Sequence, residues 1–271
     1  MTRSALPIGV FDSGVGGLTV LHECLISLPA EDFLYLGDSG HFPYGTKSAE
    51  ELRERSGAIA TELLGRGVKM LVIACNSATA AAGEEIRQMG EEAGVPVVTV
   101  VGPEAEIAAT ISGNGRIGVL ATPATVASGA YRRALDGLGR PLTVTEVAAP
   151  DLAPIIQEGP TFDEEVLDTV RGYCQPLREA GVDTLILGCT HYPLVAPMLQ
   201  RMLGRDVSLV TAGHAIAAAI QRELAERGEL AAGQTEGDYR FLVTGDVDAF
   251  AEVGTRFLQL PLGGRAERVE I

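Results

Sequence analysis

Cys75 and Cys189 are the side chains of this sequence best placed to do chemistry. Each closes an apolar run, Leu71-Val72-Ile73-Ala74-Cys75 and Leu185-Ile186-Leu187-Gly188-Cys189. Hydroxyl and amide side chains follow both: Asn76, Ser77 and Thr79 after the first, Thr190 and then His191 after the second. Gly-Val and a polar residue introduce both runs (Gly67-Val68-Lys69, Gly181-Val182-Asp183), and both landmarks recur 114 positions on. So constant an offset implies two related halves, each presenting one thiol at the carboxyl end of a strand, where open α/β sheets bind their ligands. Two facing thiols can take a proton from one side of a carbon and return one to the other. A free thiol titrates near roughly 8.5, so a modest shift leaves one thiolate to abstract and one thiol to donate.

Removing the α-proton of an amino acid normally calls for an electron sink, and pyridoxal phosphate needs a Schiff-base lysine. Only Lys47 and Lys69 exist, and Lys69 precedes a strand beneath the site. A cofactor-free mechanism with two thiols is more economical. No C-x-x-C pair is present, which argues against structural zinc, and Cys24 and Cys174 fall in helix-like stretches that read as inert packing. The first strand runs into Asp12-Ser13-Gly14-Val15-Gly16-Gly17, whose spacing is not that of a dinucleotide-binding turn. Its amides could hold an anion at a helix start. Asp12 is either a helix cap or a group that orients or deprotonates Cys75.

These residues need elements to position them. Short apolar runs at 8–11, 33–36, 70–75, 95–101, 117–121, 142–147, 184–188, 207–210 and 240–243 alternate with amphipathic stretches such as 50–65 and 162–180. That pattern predicts an α/β fold with mainly parallel sheets. Ile8-Gly9-Val10-Phe11-Asp12-Ser13 echoes Ile117-Gly118-Val119-Leu120-Ala121-Thr122, so the duplication extends to each half's first strand. We expect two pseudo-symmetric three-layer domains with the site in the cleft between them. Residues 1–102 would form the first domain and 103–212 the second, with a crossover at Val101-Gly102-Pro103 and 213–271 returning to the first. A formal charge of −15 over 271 residues disfavours nucleic acid, and no apolar run approaches membrane-spanning length. Met1 to Pro7 runs into the first strand without a signal-like segment, so a cytoplasmic protein is expected.

Taken together, Gly9 to Leu18, Asp38 with Pro43-Tyr44-Gly45, Ala74-Cys75-Asn76-Ser77-Ala78-Thr79, Gly188-Cys189-Thr190-His191-Tyr192-Pro193 and Thr244-Gly245-Asp246 resemble the signatures of bacterial glutamate racemases, in order and over nearly the whole chain. The resemblance implies a racemase without cofactor or metal that supplies D-glutamate for peptidoglycan, in a homodimer. It further implies that Cys75 acts on D-glutamate with help from Asp12, and Cys189 on L-glutamate with help from His191. Glu158 matches a family glutamate near the second thiol. Substrate contacts are implied for Asp12, Ser13, Pro43, Tyr44, Gly45, Asn76, Ser77, Thr122, Thr190 and His191. Ser77 stands where threonine is common in the family, which keeps the hydroxyl.

An aspartate or other acidic amino-acid racemase would use the same thiols, and pocket depth decides between them. A ligand-binding protein on this scaffold, or a thiol redox protein, is the alternative from another class. Redox use requires cysteines close enough to oxidise together, whereas racemisation requires a substrate-wide gap.

Overall fold

In the computed structural model, which describes residues 3–159, 164–233, 235–262 and 264–271, the internal repeat becomes two parallel sheets. The strands in chain order are β1 (Ile8–Asp12), β2 (Phe33–Gly37), β3 (Met70–Ile73), β4 (Val97–Thr99), β5 (Arg116–Ala121), β6 (Thr143–Ala148), β7 (Thr184–Gly188), β8 (Ser208–Val210), β9 (Tyr239–Val243) and β10 (Ala266–Arg268). One sheet runs β10-β9-β2-β1-β3-β4 and the other β6-β5-β7-β8, with parallel pairing throughout. Without β9 and β10 the two orders are identical, and β3 and β7 hold equivalent places. Register aligns Ile8 with Met70 in one sheet and Ile117 with Thr184 in the other.

The intervening helices are α1 (Leu18–Ser27), α2 (Ala49–Gly65), α3 (Asn76–Ala93), α4 (Val101–Ile111), α5 (Pro123–Ser128), α6 (Ala130–Asp136), α7 (Leu152–Glu158), α8 (Glu164–Glu179), α9 (Ala196–Leu203), α10 (Ala212–Arg227) and α11 (Val247–Leu258). The amphipathic stretch at 50–65 is α2, started by a reciprocal Ser48–Glu51 capping box. The stretch at 162–180 is α8, although Phe162 and Asp163 lie outside the described residues. Strands buried on both faces explain the unbroken apolar runs. Ile8, Val10, Met70 and Val72 face one core, which continues under the second sheet through Ile117, Val119 and Leu185. Phe11, Leu71 and Ile73 face the other core, beneath α2 and α3.

Two expectations need correction. The apolar run at 95–101 is a strand only to Thr99, because α4 starts at Val101. Pro103 sits in that helix's first turn, where a missing N–H costs nothing, so the crossover is helix rather than loop. The carboxyl-terminal region holds two strands where one was expected. β9 pairs with β2 and β10 with β9, extending the first sheet. Among the described residues, no helix is long and apolar enough to cross a membrane.

Candidate active site

Both cysteines reach one small cavity between the sheets, which they line together with Ser13, Phe42, Pro43, Tyr44, Gly45, Thr46, Asn76, Ser77, Thr122, Pro150, Ala153, Pro154, Thr190 and His191. A larger cavity of about 1220 Å³ lies away from it, between α8 and α9, and contains neither thiol. Cys75 lies two residues past β3 and caps α3, its sulfur accepting from the Ala78 amide at 3.5 Å. Cys189 follows β7 but opens a short 3₁₀ turn, Tyr192–Val195, before α9. The two halves thus give their thiols different settings.

Burial pushes both thiols up, Cys75 to about 12 and Cys189 further. The neighbouring charge of Asp12 adds to the rise at Cys75, and the charge of Cys75 adds to that at Cys189. The modest shift expected from sequence therefore does not describe this closed site: both groups rest as thiols. Donors oppose the trend, with Ser13 and the Ala78 amide favouring the Cys75 thiolate and the His191 amide that of Cys189. Asp12 is fully buried and itself raised by desolvation. It does not cap α1, whose cap is Gly17. Instead it accepts from the Gly14 amide (3.0 Å) and, across the cleft, from the Thr190 hydroxyl (3.2 Å). The amides of the glycine-rich turn are therefore already engaged by the chain's own Asp12 carboxyl.

His191 is clamped by the first domain. Phe42 stacks on its ring at 5.3 Å and Phe257 meets it edge-on at 5.0 Å. Its Nδ1 lies 3.9 Å from Cys189 Sγ and its Nε2 3.0 Å from Gln157 Oε1. Desolvation pushes the imidazole down to about 3, so the ring is neutral near pH 7. An acceptor at Nε2 places the ring proton there and turns the Nδ1 lone pair toward the thiol. The residue of α7 that meets His191 is Gln157; Glu158, one position on, is exposed and does not line the cavity. A helix advances about 100° per residue, so adjacent positions cannot face the same partner. Gln157 was missed because only the docking of α7 distinguishes the two. Arg256 of α11 donates to the Gln157 carbonyl and ties that helix to the first domain.

Asp38 organises the roof. Arg55 grips it twice (3.1 and 2.8 Å), while the hydroxyls of Tyr44 (2.5 Å) and Thr244 (2.6 Å) and the His41 ring (2.9 Å) complete its shell. Burial alone would raise this carboxyl, but these partners outweigh it and hold it below the usual range. Tyr44 thus commits its hydroxyl to Asp38, leaving the loop it anchors to line the cavity. Asp246 caps α11, donating that role to the Thr244-Gly245-Asp246 motif. Across the cleft, Ser77 and Thr122 share a hydroxyl contact at 2.8 Å, and the Ala124 amide donates to Gly45 O at 2.9 Å. Lys69 is buried against Glu31, whereas Lys47 pairs with Glu51 at 3.9 Å. No Arg or Lys is among the described residues lining the cavity.

The sequence profile of the family described as Asp/Glu/Hydantoin racemase matches residues 14–220. The chain is 44% identical to the glutamate racemase of Mycobacterium leprae (strain TN) over 265 residues, covering 97% of this chain and 96% of that protein. A solved glutamate racemase from Bacillus anthracis superposes with a TM-score of 0.93 at 35% identity, over 99% of this chain and 98% of the other. The Francisella tularensis glutamate racemase solved in complex with D-glutamate gives 0.91 at 31% identity, with 98% of each chain covered. Two matching α/β domains, closed over a cavity and similar throughout to such proteins, define an isomerase of the racemase class. The chain belongs to the Asp/Glu/Hydantoin racemase family.

Proposed function

We propose that this racemase interconverts L- and D-glutamate by a two-base proton transfer that needs no cofactor or metal. The observation that carries the reading is that Cys75 and Cys189 follow equivalent strands of a duplicated fold and line one cavity. The similarity to glutamate racemases, one of them solved with D-glutamate, supports the choice of substrate.

In the L-to-D direction, with the cleft open and the desolvation that suppresses His191 relieved, the Cys189 thiol passes its proton to His191 Nδ1, and the thiolate removes the substrate α-proton. Cys75 then delivers its S–H proton to the opposite face of the carbanion. In the reverse direction Cys75 is the base, with Asp12 taking its proton. Neutral donors, the side chains of Ser13, Asn76, Ser77, Thr122 and Thr190, hold the carboxylates. They stabilise developing charge without the tight ion pairing that would quench the thiolates.

The reading extends to a cytoplasmic homodimer providing D-glutamate for peptidoglycan, supported by the family resemblance of the motifs. It involves neither nucleic acid nor membrane, in keeping with the strong negative charge. Polarimetry on purified, dialysed protein with L-glutamate and L-aspartate tests it. Loss of rotation with glutamate and no added cofactor is the expected result. Racemisation of aspartate alone would reassign the substrate, and activity restored only by pyridoxal phosphate would overturn the mechanism.

A further inference from the structure

A buried carboxyl lies one contact from the cavity and has no role in the mechanism above. Glu104, in the first turn of α4, is fully buried. Its Oε2 lies 2.5 Å from the Tyr131 hydroxyl of α6 and 3.2 Å from Asn76 Nδ2, and that nitrogen lies 2.6 Å from the same hydroxyl. Glu104 Oε1 and Asn76 Oδ1 have no hydrogen-bond partner among the described residues. The cluster joins three helices and ends on Asn76, which follows Cys75 and lines the cavity.

Two features of this geometry are chemically informative. A carboxylate buried without a cation is costly, so a proton is the natural way to neutralise it. A separation of 2.6 Å is typical of O–H···O and short for a neutral N–H···O bond, and an amide's oxygen and nitrogen exchange places by a simple flip. With a proton on Glu104 and the Asn76 amide flipped, every short contact becomes an O–H···O bond.

We propose that Glu104 is a positioning residue acting as a neutral acid: its O–H donates to the Tyr131 oxygen, the Tyr131 hydroxyl donates to Asn76 Oδ1, and the Asn76 NH₂ is left to donate to a substrate carboxylate. Ionisation reverses the relay. Tyr131 then donates to Glu104, the Asn76 NH₂ turns inward, and an amide oxygen is presented where the substrate's negative charge must sit. Burial pushes the Glu104 carboxyl up to about 8, which places the reversal just above neutrality.

The surroundings contain little else to titrate. Tyr131 is held neutral by burial, and from the end of β7 only the raised Cys189 thiol feels Glu104. β7 and β8 carry no charged residue. On α4 itself Glu106 is exposed, as are Glu84, Glu85, Arg87, Glu91 and Glu92 of α3 and Arg132, Arg133 and Asp136 of α6. On α10, His214 pairs with Glu23, Glu223 with Arg227, and Arg222 and Glu226 are exposed.

The inference rests on the racemase reading, and its test separates the two. KM and kcat are measured from pH 6.5 to 9.5 for the wild type, Glu104→Gln, Glu104→Ala and Tyr131→Phe, with whichever acidic amino acid the wild type racemises. Gln imitates the protonated acid, so Glu104→Gln should keep KM within about threefold at pH 7. Above pH 8 the wild-type KM should rise relative to that variant by up to about tenfold per pH unit, with kcat moving together in both. Glu104→Ala and Tyr131→Phe should raise KM about tenfold to a hundredfold at every pH, as a misdirected donor to a charged group does. Parallel KM profiles for wild type and Glu104→Gln, or an unchanged KM in Glu104→Ala, would overturn the proposal. Carbon-13 NMR of Glu-labelled protein reads the proton directly and without turnover. A side-chain carboxyl resonance titrating near pH 8 and missing in Glu104→Gln is expected; its absence overturns the assignment even if the protein proves to act on no amino acid.

Discussion

Cys75 and Cys189 each serve one face of the substrate in the proposed mechanism, so deleting either leaves a protein able to take a proton but not to replace it from the other side. Cys75→Ala and Cys189→Ala should each lose racemisation by about 10²–10⁴-fold or more, the usual worth of a positioned base. Each should still eliminate a β-leaving group from one isomer of a suitable acidic amino acid, Cys75→Ala from the L form and Cys189→Ala from the D form. Chiral chromatography of the residual substrate reads this, and near wild-type racemisation in either variant would sink the two-thiol mechanism. His191 supplies a second residue-level expectation, concerning stability. Its pKa is depressed by burial to about 3 against roughly 6.5 unfolded, so the unfolded chain binds the proton first. The stabilisation is complete above pH 6.5 and is lost as pH falls toward 3, by up to about 1.4 kcal/mol per pH unit. Urea titrations between pH 7 and 4 should show a shallower acid loss for His191→Gln than for the wild type. Equal slopes would mean that the ring is protonated in the folded state.

The glycine-rich turn shows what an element must be to let two domains meet. A Cβ at Gly16 would come within 2.3 Å of Thr190 Oγ1 and 2.5 Å of His191 Nδ1. Gly16→Ala should therefore displace the Thr190–His191 segment, break its bond to Asp12, cost about 1–3 kcal/mol by overpacking and lower kcat at least about tenfold. Denaturant melts and initial rates would show it; unchanged kinetics would mean that the segment yields freely. Element-level information was unevenly written in the sequence. Cys75, Cys189, Thr190 and Ser13 could be placed because strand ends follow from apolar runs and the cysteine runs repeat. β10 could not, since Ala266-Glu267-Arg268 has no apolar signature and is a strand only because β9 offers it an edge. Gln157 and Glu104 were equally hidden, because each owes its position to how a helix docks. Asp12 was legible only as a helix cap or a partner of Cys75, and its anchoring by Gly14 and Thr190 needed the tertiary turn.

The molecule as a whole is closed. Bonds between Thr190 and Asp12, Thr19 and the Thr190 carbonyl, Ser77 and Thr122, and Arg256 and the Gln157 carbonyl span the two domains around a cavity of about 20 Å³. Such a space holds about one water, not an amino acid, so turnover requires the domains to part and close again. If that motion limits product release, kcat should fall in proportion to relative viscosity in sucrose or glycerol, whereas kcat independent of viscosity would assign the limit to proton transfer. The lysine inventory offers a way to watch the motion. Lys69 is sealed inside an ion pair, and Lys47 is partly exposed three residues from Tyr44, its backbone amide bonded to the Tyr44 carbonyl. Of the two lysine amines, an acylating dye will therefore find one, Lys47 beside the roof loop, so a single lysine-directed label can report each opening by its fluorescence.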